Sequence, residues 1–321
     1  AYDVDVYGGY VLRPGMVLGV DVDARGLSTT GVSANYPGGA DNLYAVTASP
    51  FFSYTGRNIY TRVGVGFEPS GAKSWYKDLT ETAFHITPQF EFRVKMSKAA
   101  GFWVLVNSGT KMNSLGMLRD YCIFMPRTPY PTDENAYMNV KAEGGLTFGP
   151  GAGLGCELYG GYASAKNWLT LNADGFIYEN VKGWHAGIRL TYTGDMVNAY
   201  ASGDFAPRTG DNFWVGNIDR ADMNIAAGID ITPIPALTAG VSYRYVHGRE
   251  AVYDLILSRQ SGAGFYNLGI ISDLGVHALY NVTPALSLRG ELRNLLGRKY
   301  TLVYGVAAQQ LNGLVGVTYK F

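Results

Sequence analysis

The strongest constraint on the fold is a strict alternation of apolar and polar residues over segments of about ten residues. In the clearest segment, positions 84 to 96, an apolar residue occupies every even position, and a polar residue occupies every odd position from His85 to Lys95. A period of two puts the apolar residues on one face of an extended strand, whereas a helical face recurs every three or four residues. Strands of this length cross a bilayer at a tilt. Similar alternation begins at Met16, Met138, Trp184 and Leu237.

The composition is typical of a transmembrane β-sheet rather than a soluble domain. Charged residues make up 16% of the chain, below the roughly 25% of a typical soluble protein. Aromatic residues reach 13%, and 42 residues are glycine. No window offers the ~20 consecutive apolar residues that a membrane helix requires. These properties together indicate a transmembrane β-barrel, in which every second residue is apolar.

The connections between the segments alternate between two lengths. Short turns are predicted at 13–15, 55–58, 98–101, 149–151, 193–195, 232–235 and 283–284. Long loops separate them at 28–42, 70–82, 114–136, 165–183, 208–220, 248–268 and 296–309. Bacterial outer-membrane barrels have short turns on the periplasmic rim and long loops on the extracellular rim. The sequence therefore predicts an all-β fold, an antiparallel up-and-down β-barrel integral to the bacterial outer membrane.

The number of strands has two alternatives. About fifteen alternating segments are present, but single-chain bacterial barrels have an even number of strands. Either residues 1–12 do not span the membrane, which gives fourteen strands, or one further strand escapes the pattern, which gives sixteen. In both cases we expect residues 1–321 to form a single barrel domain without a linker.

The chain ends in an alternating strand whose final residue is aromatic. Val315, Val317, Tyr319 and Phe321 share one face of this strand. The pattern resembles the terminal signature of outer-membrane barrels, and the resemblance implies that the barrel-assembly machinery recognises it. A last strand that pairs with the first strand also removes the open edges of the sheet. We therefore expect the last strand to close the barrel against the first.

Residues 274–321 resemble the last hairpin and closing strand of TonB-dependent receptors. The segment Asn294-Leu295-Leu296, followed by Tyr300, matches an Asn-Leu-aromatic…Tyr element of that family. The hairpins at 223–247 and 271–294 have the same order of apolar strand, Thr-Pro turn and Leu-rich return. The resemblance covers about a third of the chain, and the remainder shares the general barrel pattern.

The resemblance limits what can be transferred about function. TonB-dependent receptors carry an N-terminal plug and a segment that engages an energising partner, followed by a barrel of about 22 strands. In this chain the strand periodicity begins at Tyr2, so we expect no plug domain. The resemblance therefore implies the receptor type of barrel, but it does not imply energised uptake.

Charged residues at the polar positions are the candidates for a lumen lining. They carry both signs without a cluster of one sign, which favours cross-paired filling of the interior over a ring that selects anions or cations. An open water path along the same residues is the alternative. The candidates are Asp21, Asp23, Arg62, Glu91, Arg93, Lys141, Glu143, Arg189, Arg244, Arg289, Glu291 and Arg293.

No sequence pattern indicates catalysis, a metal site or a cofactor. His85, His185, His247 and His277 lie on separate segments and lack the spacing of metal ligands. The two cysteines form neither a zinc motif nor a disulfide framework. With 26 basic and 26 acidic residues, the chain has no basic footprint for nucleic acid. We expect a protein that is not an enzyme and binds no nucleic acid, metal or cofactor.

Two loops with apolar residues indicate either a partner surface or an inward-folded lid. The loop 114–136 contains an apolar, proline-rich run, and the loop 249–268 contains a second apolar patch. An outer-membrane protein or lipoprotein is the partner that such a surface fits, beside the surrounding outer-membrane lipids. The strand number favours a passive, porin-like channel for small solutes. The alternative is a non-conducting barrel subunit of an outer-membrane complex for transport, secretion or barrel assembly.

Overall fold

The computed structural model describes residues 2–28, 40–74, 79–112, 135–172, 175–207, 221–254, 263–303 and 306–320. All regular secondary structure in these ranges is β-strand. Aromatic and β-branched residues favour this outcome because they pack well on a pleated surface. No helix in the same ranges is long and apolar enough to cross a membrane.

Fifteen strands form the wall of one sheet, and four short strands lie in its long connections. The wall strands are β1 Tyr2–Arg13, β2 Met16–Ser28, β3 Ala40–Thr55, β4 Ile59–Ser74, β5 Leu79–Lys95, β6 Ala100–Lys111, β7 Ala136–Gly151, β8 Leu154–Asn172, β9 Gly175–Thr193, β10 Val197–Phe205, β11 Met223–Ile234, β12 Leu237–His247, β15 Ile271–Asn281, β16 Leu286–Arg293 and β19 Asn312–Tyr319. The short strands are β13 Glu250–Asp254, β14 Ala263–Asn267, β17 Thr301–Val303 and β18 Val306–Ala307.

Each wall strand pairs antiparallel with the next wall strand along the chain. The hairpin β13–β14 lies in the connection between β12 and β15, and β17–β18 lies in the connection between β16 and β19. On one rim every connection is a short turn, whereas on the other rim most connections are long, except between β4 and β5 and between β8 and β9. The predicted antiparallel up-and-down transmembrane barrel fold is confirmed.

Three sequence-based boundaries need correction. Residues 1–12 were expected to lie outside the wall if the strand number were fourteen, but β1 occupies Tyr2–Arg13. The loops predicted at 70–82 and 165–183 are mostly strand, because β4, β5, β8 and β9 extend through them. These strands are longer than a bilayer crossing requires, and their hydrogen-bonded pairing continues through polar residues beyond the bilayer. This is possible because strand pairing satisfies the backbone groups in water as well as in lipid. The described wall therefore has fifteen strands.

The first short turn shows why a glycine follows β1. Gly15 has a φ of +82°, a left-handed conformation that costs little only for glycine. Its carbonyl oxygen accepts a hydrogen bond of 2.7 Å from the backbone N–H of Thr55. A Cβ at Gly15 would lie 2.4 Å from the carbonyl oxygen of Thr55. Any other residue would therefore be strained and would displace the end of β3.

The sheet has an apolar outer face and a polar inner face. On the outer face, Leu18, Val63 and Ile188 are 52%, 49% and 39% exposed. Apolar side chains exposed on strand after strand are typical of a surface that contacts lipid hydrocarbon. Small buried apolar clusters lie toward the long connections, such as Leu43 with Ala72. The alternation in the sequence thus separates a lipid-facing surface from a water-facing one.

The two outermost wall strands, β1 and β19, are not paired with each other in the described residues. All twelve residues of β1 and six of the eight in β19 are exposed, whereas β2, with a neighbour on each side, has four exposed residues of thirteen. We call the region between these two free edges the seam. The expected pairing of the last strand with the first is not present there, because an odd number of strands makes β1 and β19 run in the same direction.

Candidate functional site

All twelve charged residues predicted to line the lumen lie on the inner face of the sheet. Residues that are opposite each other on neighbouring strands point to the same face of the sheet. Arg62 is opposite Glu91 and Arg189 is opposite Glu157, so the strand pairing shows which residues along the wall share the inner face. The set is Asp21, Asp23, Arg62, Glu91, Arg93, Lys141, Glu143, Arg189, Arg244, Arg289, Glu291 and Arg293. The inner face is the candidate functional site, and lining of an open lumen by these residues remains a prediction.

An ion pair on the inner face links β2 with β4 across β3. The guanidinium of Arg62 donates to the carboxylate of Asp21. The same guanidinium lies 3.8 Å from the ring centre of Phe51 on β3. Phe51 is 4% exposed, so the ring excludes water from one side of the pair. The arrangement fixes the relative positions of three neighbouring strands.

Further ion pairs join charged residues that are two positions apart on one strand. Residues i and i+2 of a strand point to the same face, which brings their charges together. The pairs are Asp23–Arg25 at 2.7 Å, Glu91–Arg93 at 2.7 Å, Lys141–Glu143 at 2.6 Å, Glu291–Arg289 at 3.0 Å, and Glu291–Arg293. Such partly exposed pairs contribute about 0–1 kcal/mol each to stability. Their main effect is to leave the inner face with little net charge.

Residues on the inner face of β6, β8, β9 and β10 form a polar network. The indole N–H of Trp103 donates to Glu157 at 3.0 Å, and the guanidinium of Arg189 donates to the other oxygen of that carboxylate at 3.0 Å. Arg189 also lies 4.2 Å from the ring centre of Tyr159. The hydroxyl of Tyr159 donates to Asp204. Glu157, Tyr159 and Asp204 were not among the predicted residues, although Glu157 and Tyr159 occupy alternate positions of β8.

His185 connects this network to the Lys141–Glu143 pair. Its Nε2 atom lies 3.3 Å from Glu143, and its Nδ1 atom lies 3.9 Å from Asp204. The imidazole is 7% exposed and packs at 5.7 Å from the ring of Tyr159. A histidine between two carboxylates crosslinks β7, β9 and β10 on the inner face.

Glu68 is a buried carboxylate on the inner face of β4. It is 4% exposed and accepts hydrogen bonds from the hydroxyl of Thr47 at 2.7 Å and from the N–H and hydroxyl of Thr110 at 2.8 and 2.6 Å. Charge-assisted hydrogen bonds of this kind offset the cost of burying the carboxylate. Gly109, with a φ of +134°, creates the irregularity in β6 that brings Thr110 to Glu68.

The element Asn294-Leu295-Leu296…Tyr300 forms the start of an inward-folded segment. Asn294 has a φ of +53° and is 1% exposed. Its amide nitrogen donates to the carbonyl oxygens of Arg298 and Gln309 at 2.8 and 3.1 Å, and its amide oxygen accepts from the N–H of Arg298 at 3.0 Å. One side chain therefore closes the turn after β16 and ties it to the return toward β19.

The same segment is attached to the inner wall. The hydroxyl of Tyr300 donates to Asp273 of β15 at 3.3 Å, and its ring packs on Val246 and Ile271. Burial, together with Asp273, raises the pKa of Tyr300, so its hydroxyl remains a proton donor at neutral pH. The guanidinium of Arg249, which is 2% exposed, donates to the carbonyl oxygens of Thr301 and Leu302. We call residues 294–303 the strap.

Cavities lie along the inner face of the described residues, and two of them contain predicted lining residues. One, of about 660 Å³, lies at the short-turn end and is lined by Glu91, Arg93, Lys95, Trp103 and Glu157, among others. The other, of about 570 Å³, lies along β1 to β6 and includes Asp5, Asp21, Asp23, Glu68 and Thr110. Both cavities combine charged groups of either sign with aliphatic or aromatic side chains, which suits water and small polar solutes.

The histidines have different environments, as their spacing predicts. His85 stacks on Tyr137 with ring centres 3.6 Å apart, and His277 lies 3.0 Å from Asp230. Other predictions fall outside the described residues: the apolar run in 114–136, the side chains of the 249–268 patch, and Phe321. The described part of 249–268 contains the backbone of the hairpin β13–β14.

Comparison with solved structures places the chain among TonB-dependent receptor barrels in fold. The FrpB iron transporter of Neisseria meningitidis (F3-3 variant) is 11% identical, with a TM-score of 0.70 over 99% of this chain and 54% of that protein. The copper transporter OprC is 11% identical, with a TM-score of 0.67 over 99% and 55%. The ferric enterobactin receptor PfeA of Pseudomonas aeruginosa (G324V mutant) is 14% identical, with a TM-score of 0.60 over 95% and 51%.

The likeness is one of fold. No family model matches the sequence, and no curated protein is detectably similar to it. The chain spans about half the length of the transport proteins that it resembles. The resemblance seen in residues 274–321 thus extends, in three dimensions, over nearly the whole chain.

Proposed function

We propose that this chain forms part of the wall of an integral outer-membrane β-barrel that gives small polar solutes a passive route across the membrane. The observation that carries the proposal is the separation of the two faces. The outer face exposes apolar side chains, whereas the inner face carries paired charges from β2 to β16. Such a wall suits lipid on one side and water on the other.

The size of the wall favours an interior that contains water. Side chains fill a barrel of about eight strands, and barrels of about 16 strands leave an aqueous channel. Fifteen strands fall in the second class, and the cavities of about 660 and 570 Å³ lie on the inner face. The transport proteins of similar fold support the same class of function.

The paired charges also predict a route with weak selectivity. Arg189 is paired with Glu157, and Arg62 with Asp21, so neither presents an uncompensated charge to a passing ion. A solute is then sorted mainly by size and polarity. A passive route of this kind requires no catalytic group, metal or cofactor.

A liposome-swelling assay tests the proposal. The protein is extracted from native outer membranes in mild detergent and reconstituted, and swelling is measured with uncharged sugars of increasing size. We expect small sugars to enter and larger ones to be excluded.

In bilayer recordings, Arg189→Glu should shift the reversal potential toward cation preference because it leaves two adjacent carboxylates. The matched control, Arg189→Lys, keeps the charge and should leave selectivity unchanged. Impermeable liposomes containing folded protein would reject the passive route.

The second candidate is a non-conducting subunit of an outer-membrane complex. The seam between β1 and β19 favours it, because free strand edges are surfaces that pair with other strands. In the same assay, absence of swelling together with a partner present in equal amounts would support this function.

A further inference from the structure

The cavity of about 660 Å³ at the short-turn end has the size of a small-molecule site. We call it the rim cavity. Its lining includes Gly101, which is opposite Lys95 on β5 and opposite Thr147 on β7. A Cβ at Gly101 would lie 2.8 Å from the hydroxyl oxygen of Thr147, so a larger residue would fill this space. The volume falls within the roughly 300–1,000 Å³ that is usual for ligand pockets.

Two aromatic side chains line the rim cavity. Tyr60 and Trp103 lie opposite Arg93 on the inner face, one on each neighbouring strand. The indole passes close to Gly145, where a Cβ would be 3.0 Å from Nε1 and 3.1 Å from Cε2. The indole N–H donates to Glu157 at 3.0 Å. These contacts fix the orientation of the indole, so its exposed surface is a preformed stacking surface for a second ring.

Positive charge exceeds negative charge around the rim cavity. The charged lining residues are Arg57, Glu91, Arg93, Lys95 and Glu157. Both carboxylates have a basic partner, which is Arg93 at 2.7 Å in one pair and Arg189 at 3.0 Å in the other. Among the residues that the structure describes, no carboxylate pairs with Arg57 or Lys95, and both are exposed. Two cationic groups are therefore available to an anionic ligand.

We infer that the rim cavity binds small organic anions that contain an aromatic ring. The ring of the ligand stacks on Trp103, and its anionic group meets the ammonium of Lys95. These two residues are diagonal neighbours across β5 and β6, roughly 7–8 Å apart, which suits a molecule of the size of benzoate. The inference rests on the proposed function, because it requires an inner face that solutes can reach. Binding at a water-exposed site is weak, as a passive route requires for release of the solute.

Binding of three probes to the protein, extracted from native outer membranes in mild detergent, tests the inference. Benzoate carries the ring and the charge, benzyl alcohol carries the ring alone, and acetate carries the charge alone. In isothermal titration at low ionic strength, we expect benzoate to bind more tightly than either of the other probes.

Substitution of Lys95 tests the position of the anionic group. Lys95→Gln should weaken benzoate binding by up to about fivefold, the contribution of an exposed ion pair, and should leave benzyl alcohol binding unchanged. The matched control is Lys98→Gln, which removes the same charge from an exposed position in the adjoining turn, outside the cavity lining. The control should bind benzoate as the unmodified protein does.

Substitution of Trp103 tests the stacking surface. Trp103→Leu should weaken the binding of benzoate and of benzyl alcohol alike, with folding checked by circular dichroism. Equal affinities for benzoate and acetate would overturn the inference, and so would equal benzoate affinities of Lys95→Gln and Lys98→Gln. The liposome-swelling assay separates this inference from the proposed function. Benzoate binding with impermeable liposomes would support the site and reject the route, whereas swelling without benzoate binding would support the route and reject the site.

Discussion

The guanidinium of Arg249 donates a hydrogen bond of 2.7 Å to the backbone carbonyl oxygen of Thr301. Arg249 lies in the connection after β12, and Thr301 lies in the connection between β16 and β19. The contact therefore fastens two long connections to each other at the rim. It also holds Tyr300 against the inner wall, where the hydroxyl reaches Asp273.

Removal of the Arg249 side chain should release the strap. Arg249→Ala removes a charged donor from the carbonyl oxygens of Thr301 and Leu302, and hydrogen bonds to charged groups contribute about 1.5–3 kcal/mol. We expect faster proteolytic cleavage within residues 294–303 and a larger conductance. The control is Lys299→Ala, because Lys299 is exposed in the same segment. Equal cleavage rates in Arg249→Ala and Lys299→Ala would show that the guanidinium does not hold the strap.

Two substitutions at Asn294 separate its side-chain bonds from its backbone conformation. Both Asn294→Ala and Asn294→Gly remove the three hydrogen bonds of the side chain. Alanine alone also carries the strain of a φ of +53°, which costs about 1–2 kcal/mol. We expect Asn294→Gly to lower the unfolding free energy in urea and Asn294→Ala to lower it further. Identical values for the two variants would contradict the role of the left-handed turn.

The pair of Asp21 and Arg62 predicts a rescue by charge exchange. Asp21→Arg or Arg62→Asp alone places like charges on adjacent positions of the inner face, so each should lower stability by about 1 kcal/mol. The double exchange restores opposite charges and should recover most of this loss. Thermal unfolding in detergent of the three variants measures the coupling. Additive losses in the double variant would mean that the two residues do not interact.

The sequence predicts the wall of this protein well because the face that a strand residue occupies depends only on its position along the strand. The period of two determines which face each residue occupies, so the twelve predicted charges lie on the inner face, although Glu157 and Asp204 on the same face were not predicted. The direction of each strand across the sheet also follows from the sequence, because every predicted turn reverses it. The pairing partners of those charges were harder to predict, since Asp21 and Arg62 meet across an intervening strand.

The strap and the seam depend on contacts that no local pattern encodes. Asn294 and Tyr300 form a motif in the sequence, but their shared partner Asp273 lies on β15. Arg249, which donates to the carbonyl oxygens of Thr301 and Leu302, lies in a different connection. Glu68 is a further inward charge, and its carboxylate is buried and accepts hydrogen bonds from Thr47 and Thr110. These contacts depend on strand register at bulges and on the conformation of long connections, which alternation does not specify.

The terminal residue Phe321 should be needed for assembly. The resemblance of the last strand to barrel termini predicts that Phe321→Asp lowers the amount of folded protein in the outer membrane while synthesis continues. Lys320→Ala is the control, because it changes the neighbouring residue on the other face. Heat-modifiable migration of membrane fractions measures the folded amount. A normal folded yield of Phe321→Asp would show that the terminal aromatic residue is not a recognition signal.

The most direct test of the account is the two-faced character of the wall. After replacement of both native cysteines, single cysteines at consecutive positions from Phe90 to Val94 on β5 are spin-labelled in reconstituted membranes. Collision with oxygen, which concentrates in lipid, is compared with collision with a water-soluble nickel complex. For a two-faced wall we expect oxygen accessibility at positions 90, 92 and 94 and nickel accessibility at Glu91 and Arg93, with a period of two. A constant accessibility along β5, or a period near 3.6, would contradict a transmembrane wall with a polar inner face.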